Sequence, residues 1–188
     1  MRPRTVRRAL ALLVVAALAA VVVVPALERV VRDITLPLAY TSVIHEQARE
    51  KHLDPALIAA VIFAETRFAP RTSATGAIGL MQIEPATAEF LAKRSGGVDF
   101  SLADLSNPSV NIAYGAYYLR YLLDRYHHSE TLALAAYNGG ETNVGIWLAQ
   151  AHAAGVSFTV DSIPFAQTRA YVRRVESAQA RYAKQYGL

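Results

Sequence analysis

Eight residues without a polar side chain, Leu57 to Ala64, constrain this chain more than any other stretch, because they end in a single carboxylate, Glu65. Asp54 and Pro55 stand just before them and obey the rules for a helix start. The Asp oxygen satisfies an orphan backbone amide, and Pro lacks the amide that the first position would leave unpaired. In the resulting helix Ile58, Val61, Ile62 and Glu65 recur at i, i+3, i+4 and i+7, so the carboxylate stands in line with side chains that face the core. An ion there is costly: desolvation raises a carboxyl pKa, and a carboxyl still protonated near neutral pH is what general acid catalysis requires. Spacing alone nevertheless favours a plainer reading, a helix-end carboxylate reaching solvent.

The loop after Glu65 shifts that balance. Between Ser73 and Pro85 it carries Gly76 and Gly79, which permit backbone conformations or close approaches that a side chain would block. With Gln82 they form a narrow, amide-rich wall suited to a polar, uncharged ligand such as a sugar chain; for each glycine alone, a tight turn is the competing reading. Farther on, Tyr137-Asn138-Gly139-Gly140 puts a phenol and an amide at the mouth of a buried helix, with capping as the alternative role for Asn138. Tyr114, Tyr117, Tyr118 and Tyr121 make a tyrosine-rich helix face, read as packing rather than sugar stacking.

The N-terminus is of a different kind. Arg2, Arg4, Arg7 and Arg8 precede an uncharged run from Ala9 to Leu27. At about 1.5 Å per residue that run reaches roughly 28 Å, near the hydrocarbon thickness of a bilayer. Residues 1–27 therefore read as a signal anchor, with a signal peptide cleaved near Val24-Pro25-Ala26 as the alternative. Basic residues ahead of the span favour export of the chain beyond it. Residues 28–37 form a short juxtamembrane connector, and residues 38–188 one catalytic domain held close to the membrane. Those four arginines account for the net charge of +4, because removing them from the 19 basic residues leaves 15 against 15 acidic ones. The exported part is neutral and has no basic footprint for nucleic acid. The chain has no cysteine, which excludes disulfides and a thiol nucleophile. Its histidines show no metal-ligand spacing, and no nucleophile elbow is present, so neither a metal nor another cofactor is expected.

Helical pattern dominates. Helices are predicted from about Leu38 to His52, from Pro55, from Pro85 to about Lys93, from Pro108 (capped by Asn107) to about His127, from Ser129 to the Tyr137-Asn138-Gly139-Gly140 stop, from Thr142 to Ala153, and from Ala166 to Tyr186. In the Pro108 helix Ile112, Gly115, Ala116, Leu119 and Leu122 or Leu123 should face inward. Residues Ser95 to Ser106 read as loop, and Val156 to Val160 as a short extended piece. The fold class is mainly α.

Several motifs, taken in order, resemble the soluble lytic transglycosylase (SLT) family. They are Glu65-Thr66-Arg67-Phe68; Gly76 to Ile83 with Pro85 and Thr87-Ala88; Asn111-Ile112 with Gly115 and Tyr118-Leu119; Ala136 to Gly140; and Ile163-Pro164-Phe165 with Thr168-Arg169 and Tyr171-Val172. The resemblance implies a lysozyme-like helical domain of the bacterial envelope that cleaves peptidoglycan between N-acetylmuramic acid and N-acetylglucosamine. The glutamate matching Glu65 would act as general acid and then as general base on the muramyl C6 hydroxyl, leaving a 1,6-anhydromuramyl end without consuming water. Ser73, Gly79, Met81, Gln82, Tyr137 and Asn138 would contact substrate, Tyr137 helping to orient the carboxyl or the substrate N-acetyl group, while Glu84, Gln167 and Tyr171 would support the site. The implied partners are glycan strands and, through residues 9–27, the membrane.

Two positions depart from the family pattern. Gln167 stands where a glutamate is common, removing a charge from an expected buried network. Glu84 replaces an apolar residue or Thr, and reads either as a solvated carboxylate at a helix start or as a cleft residue that binds an amine or directs a water. Ordinary glycosidases use two carboxylates. A single one suits a reaction in which the substrate's own hydroxyl replaces water. A hydrolytic muramidase that uses Glu84, and a non-catalytic envelope glycan-binding protein, are the alternatives.

Overall fold

The computed structural model describes residues 35–96 and 100–188, together with positions 21, 23–25, 27 and 31. The expected span at residues 9–27 therefore lies almost entirely outside the described residues, and among these no helix is long and apolar enough to cross a membrane. The chain divides into two units, Met1–Pro37 and Leu38–Leu188.

The second unit is mainly helical: α1 (Thr41–Lys51), α2 (Pro55–Thr66), α3 (Pro85–Ser95), α4 (Pro108–Arg125), α5 (Glu130–Gly139), α6 (Glu141–Ala153) and α7 (Ala166–Tyr186). Local chemistry sets most of their ends. The Asp54 carboxylate accepts from the Ala56 amide at 2.9 Å, Asn107 accepts from Ser109 at 2.9 Å, and Ser129 accepts from Leu132 at 3.4 Å. Each such cap contributes about 1 kcal/mol. Pro stands at the first position of α2, α3 and α4, and glycines with positive φ close α3, α5 and α7.

The core is built around α2. Every residue from Ala56 to Phe63 is buried, so the helix is enclosed on all sides and is not merely striped. Its most extensive partner is α7, whose Thr168, Tyr171, Val172, Val175, Ala178 and Tyr182 form the buried face of an otherwise polar helix. Tyr182 meets Phe63 edge-on at 6.1 Å and Phe68 at 6.2 Å. Each fully buried Ile, Leu or Val here contributes about 1.5–3 kcal/mol relative to exposure. On α4, Ile112, Gly115, Ala116, Leu119, Leu122 and Leu123 all face inward as expected.

Three expectations need correction. Helix α1 starts only at Thr41, because Tyr40 adopts the left-handed conformation at φ 57°. The predicted loop 95–106 contains a 3-10 turn, Leu102–Ser106, nucleated by a reciprocal pair: the Ser101 amide donates to Asp104 at 2.8 Å, and Ser101 Oγ caps Ala103. Val156–Val160 forms no strand; a 3-10 turn at Val160–Ser162 takes its place. The extended structure present is a small antiparallel pair in the glycine loop, β1 (Arg71–Thr72) with β2 (Ile78–Gly79), in the register Arg71 to Gly79 and Thr72 to Ile78.

Candidate active site

Glu65 occupies the last turn of α2, and the backbone just beyond it is tightly held. Arg67 and Phe68 both take left-handed conformations, at φ 52° and 64°, which turns the chain sharply out of the helix. Two consecutive non-glycine residues there cost of order 1–3 kcal/mol each and persist only where surrounding contacts enforce them. The Thr66 hydroxyl bonds the Ile62 carbonyl at 3.2 Å and the Leu80 carbonyl at 2.8 Å, and the Arg71 guanidinium donates to the Glu65 carbonyl at 2.8 Å. The helix end is thus tied to the glycine loop from both sides.

That loop is in turn fastened to α4 by one buried side chain. Asn111 accepts from the Met81 amide at 2.8 Å and donates to the Ile78 and Leu105 carbonyls at 2.9 and 3.0 Å. Gly79 makes room for it: a Cβ there would overlap the Asn111 amide and stand 2.8 Å from the Leu105 carbonyl, and its φ of 80° also requires glycine. Gly115 in α4 leaves a hollow filled by the Met81 thioether. The Tyr137 hydroxyl donates to the Met81 carbonyl at 2.8 Å, so α5 holds the loop as well. Both backbone groups of Met81 are therefore taken, and its side chain is fully buried.

In front of this frame lies a cleft of about 510 Å³, with Glu65, Ser73, Gln82, Glu84, Tyr137, Asn138 and Gln167 in its lining. Seven of the ten predicted site residues meet there. Of the other three, Gly79 and Met81 are corrected. Gly79 and Met81 face inward and do not line the cleft; their roles are close packing against Asn111 and Gly115. Tyr171, expected to support the site, is buried behind Glu65, where its hydroxyl favours the charged form of the Glu65 carboxyl. Tyr137 lines the cleft, and its hydroxyl donates to the Met81 carbonyl. Gln82 holds the loop too: its amide donates to the Arg71 and Gly79 carbonyls, both at 2.8 Å. Gln167 is exposed on the cleft wall and is not part of a buried network among the described residues. Thr75, Thr87, Tyr118 and Gly140 also line the cleft. Of these, Tyr118 lies within the tyrosine face read as packing, and Thr75 carries no local signal at all.

Burial pushes the Glu65 carboxyl up to about 7, against the pull of the Tyr171 hydroxyl and the charges of Arg71 and Arg174. Glu84 is exposed and stands at the cap position of α3 without capping the helix. Burial likewise raises the Tyr137 and Tyr171 phenols well above their usual range, with the Glu65 charge adding to it, so both remain neutral donors. Among the described residues no three His, Asp or Glu side chains converge to hold a metal ion. What the arrangement offers is one carboxyl that is half-protonated near neutral pH, in a cleft otherwise lined largely by neutral groups.

Residues 42–157, more than half the chain, match the transglycosylase SLT domain. The soluble lytic murein transglycosylase of Salmonella typhimurium is 36% identical over 152 residues, covering 78% of this chain and 23% of that protein. The chain thus spans under a quarter of the length of this curated relative. The crystal structure of the 70 kDa soluble lytic transglycosylase of Escherichia coli superposes with a TM-score of 0.77 at 31% identity, over 82% of this chain and 26% of that one. An inactive mutant of the lytic transglycosylase Slt of Pseudomonas aeruginosa, with a glutamate changed to glutamine, superposes at 0.75 and 31%, over 83% of this chain and 26% of that one. With the helix-end glutamate, the Asn111-braced glycine loop and the Tyr137 strut all inside the matched segment, this lysozyme-like domain belongs to the transglycosylase SLT family.

Proposed function

We propose that the chain is a peptidoglycan lytic transglycosylase. The observation that carries this reading is the Glu65 carboxyl, raised to about 7 on the lining of a polar cleft. Protonated, it donates to the oxygen of the bond between N-acetylmuramic acid and N-acetylglucosamine, and the bond from that oxygen to the muramyl C1 breaks. The carboxylate left behind then takes the proton of the muramyl C6 hydroxyl as that oxygen bonds to C1. The products are a 1,6-anhydromuramyl end and a free N-acetylglucosamine hydroxyl. The carboxyl regains its proton, and no water is consumed. A pKa near the working pH serves both steps.

Digestion of purified peptidoglycan followed by mass analysis tests this. Anhydro ends, lighter by one water than hydrolysed ends, are expected from the wild type and none from Glu65→Gln. Reducing ends alone would make the protein a hydrolytic muramidase, with Glu84, which lines the same cleft, as the group to direct water. Unchanged envelope turnover with Glu65→Gln would point to a glycan-binding role instead.

The location belongs to the same proposal. Residues 1–27 serve as the membrane anchor, 28–37 as the connector, and 38–188 as the catalytic domain on the outer side of a bacterial cytoplasmic membrane. The support is the four arginines ahead of the uncharged run at 9–27. Fractionation that finds the full-length chain with membranes, and protease accessibility of its C-terminal part from outside, are the expected results.

A further inference from the structure

Two helices that line the cleft carry on past it, and a third begins at its edge. On α3, Thr87 lines the cleft, and Phe90 and Arg94 stand at i+3 and i+7 on the same face. On α4, Tyr118 lines the cleft, and Tyr121 and Arg125 stand at the same spacings. Helix α6 opens with Glu141, directly after the cleft residue Gly140. The residues beyond the cleft meet one another. The Tyr118 and Tyr121 rings stack at 6.2 Å, Tyr121 meets Phe90 edge-on at 5.3 Å, and the Arg94 guanidinium lies 5.1 Å from the Tyr121 ring centre. Glu141 holds Arg125 at 2.5 Å and accepts from the Tyr121 hydroxyl at 3.3 Å. At the inner end Tyr118 lies 5.2 Å from Tyr137. A wall of rings thus runs without a break from the cleft to the outer surface.

Packing leaves two of its features unexplained. Phe90 keeps 40% of its surface exposed. Arg94 is exposed and has no carboxylate partner among the described residues, since Glu141 is committed to Arg125 and the Arg94 cation rests on a ring. The cleft itself is lined by two carboxyls, Glu65 and Glu84, and by no Lys or Arg. An anionic ligand group is therefore disfavoured inside the cleft and favoured on this outer face.

We propose that this face receives the part of a peptidoglycan strand lying beyond the cleft, with a sugar ring against Phe90 and a stem-peptide carboxylate against Arg94. The proposal rests on peptidoglycan being the substrate. The sugars of such a strand are uncharged and present C–H faces that suit an aromatic ring, whereas its free carboxylates belong to the peptides. One surface that offers a ring beside a cation matches both.

Binding measured on Glu65→Gln protein tests this, with two ligands: glycan strands bearing uncross-linked stem peptides, and the same strands stripped of peptide by an amidase. Adding Arg94→Gln is expected to weaken binding of the peptide-bearing strands roughly three- to tenfold and to leave stripped strands within about twofold. Adding Phe90→Ala is expected to weaken both by roughly threefold to fivefold. Arg94 is exposed, so Arg94→Gln should keep the parent's melting temperature; Phe90→Ala also gives up the contact with Tyr121 and should lower it by a few degrees, so binding is compared well below both melts. Equal binding with and without Arg94, or an equal loss on both ligands, overturns the proposal. Digestion of the same strands by the wild type keeps the two readings apart. Anhydro ends with Arg94-independent binding defeat this inference alone, whereas peptide-dependent binding without cleavage defeats only the proposed activity.

Discussion

Glu65 holds its proton because burial penalises the charged form more than Tyr171, Arg71 and Arg174 favour it. The catalytic rate should accordingly fall as pH rises past about 7, where the general acid is lost. Phenylalanine at 171 removes a group that favours the carboxylate, so the alkaline limb of the pH–rate profile should move to higher pH; an unmoved limb would show that the hydroxyl does not act on Glu65. The same shift bears on stability. Below the ordinary value of 4.5 the native and unfolded chains both carry the proton. Between 4.5 and about 7 the unfolded chain gives it up while the native protein keeps it, so stability falls as pH rises through that window. The full effect is on the order of 2–3 kcal/mol. Glu65→Gln lacks this liability. Its unfolding free energy in urea should gain on the wild type by about that amount between pH 5 and pH 8, whereas a constant difference would mean that Glu65 has an ordinary pKa.

The glycine loop is shaped by an element distant in sequence, α4. Asn111 satisfies one amide and two carbonyls of buried backbone, so Asn111→Ala strands all three. It is expected to cost about 2–4 kcal/mol of stability and to lower the rate by loosening the wall beside Glu65. Gly79→Ala meets both a positive φ and the Asn111 side chain, and should cost about 3 kcal/mol or more. Denaturant melts measure both. The sequence told the two glycines from ordinary residues but did not separate their tasks. Gly76 has open space where a Cβ would stand and serves its turn, whereas Gly79 serves a close approach set from α4 and the Leu102–Ser106 turn. The Asn107 cap, by contrast, was legible in advance, because its partner Ser109 lies two residues away.

Across the whole molecule, the proposed reaction assigns both proton transfers to Glu65 alone. Glu84 shares the cleft, exposed at the start of α3. Glu84→Gln should leave the alkaline limb within a few tenths of a pH unit and the products anhydro. A shift of that limb, or a change in the products, would instead pair the two groups. The apolar stripe also means less at this scale. Ile58, Val61, Ile62 and Glu65 do lie in line, but α2 is enclosed all round, so alignment does not distinguish Glu65 from its neighbours. Its place at the helix end, where the chain turns out through Arg67 and Phe68 and the cleft begins, does.

By itself the sequence determined the helices, most of their caps and the carboxyl at the end of the most apolar one. These arise from interactions among residues within about four positions of each other, which periodicity and capping rules describe. Only the tertiary structure decided that α7 covers α2, that Met81 and Gly79 turn inward onto Asn111 and Gly115, that Gln167 faces the cleft, and that the Glu65 carboxyl rises to about 7. Desolvation is summed over atoms brought in by segments far apart in the chain, and no local pattern carries that sum.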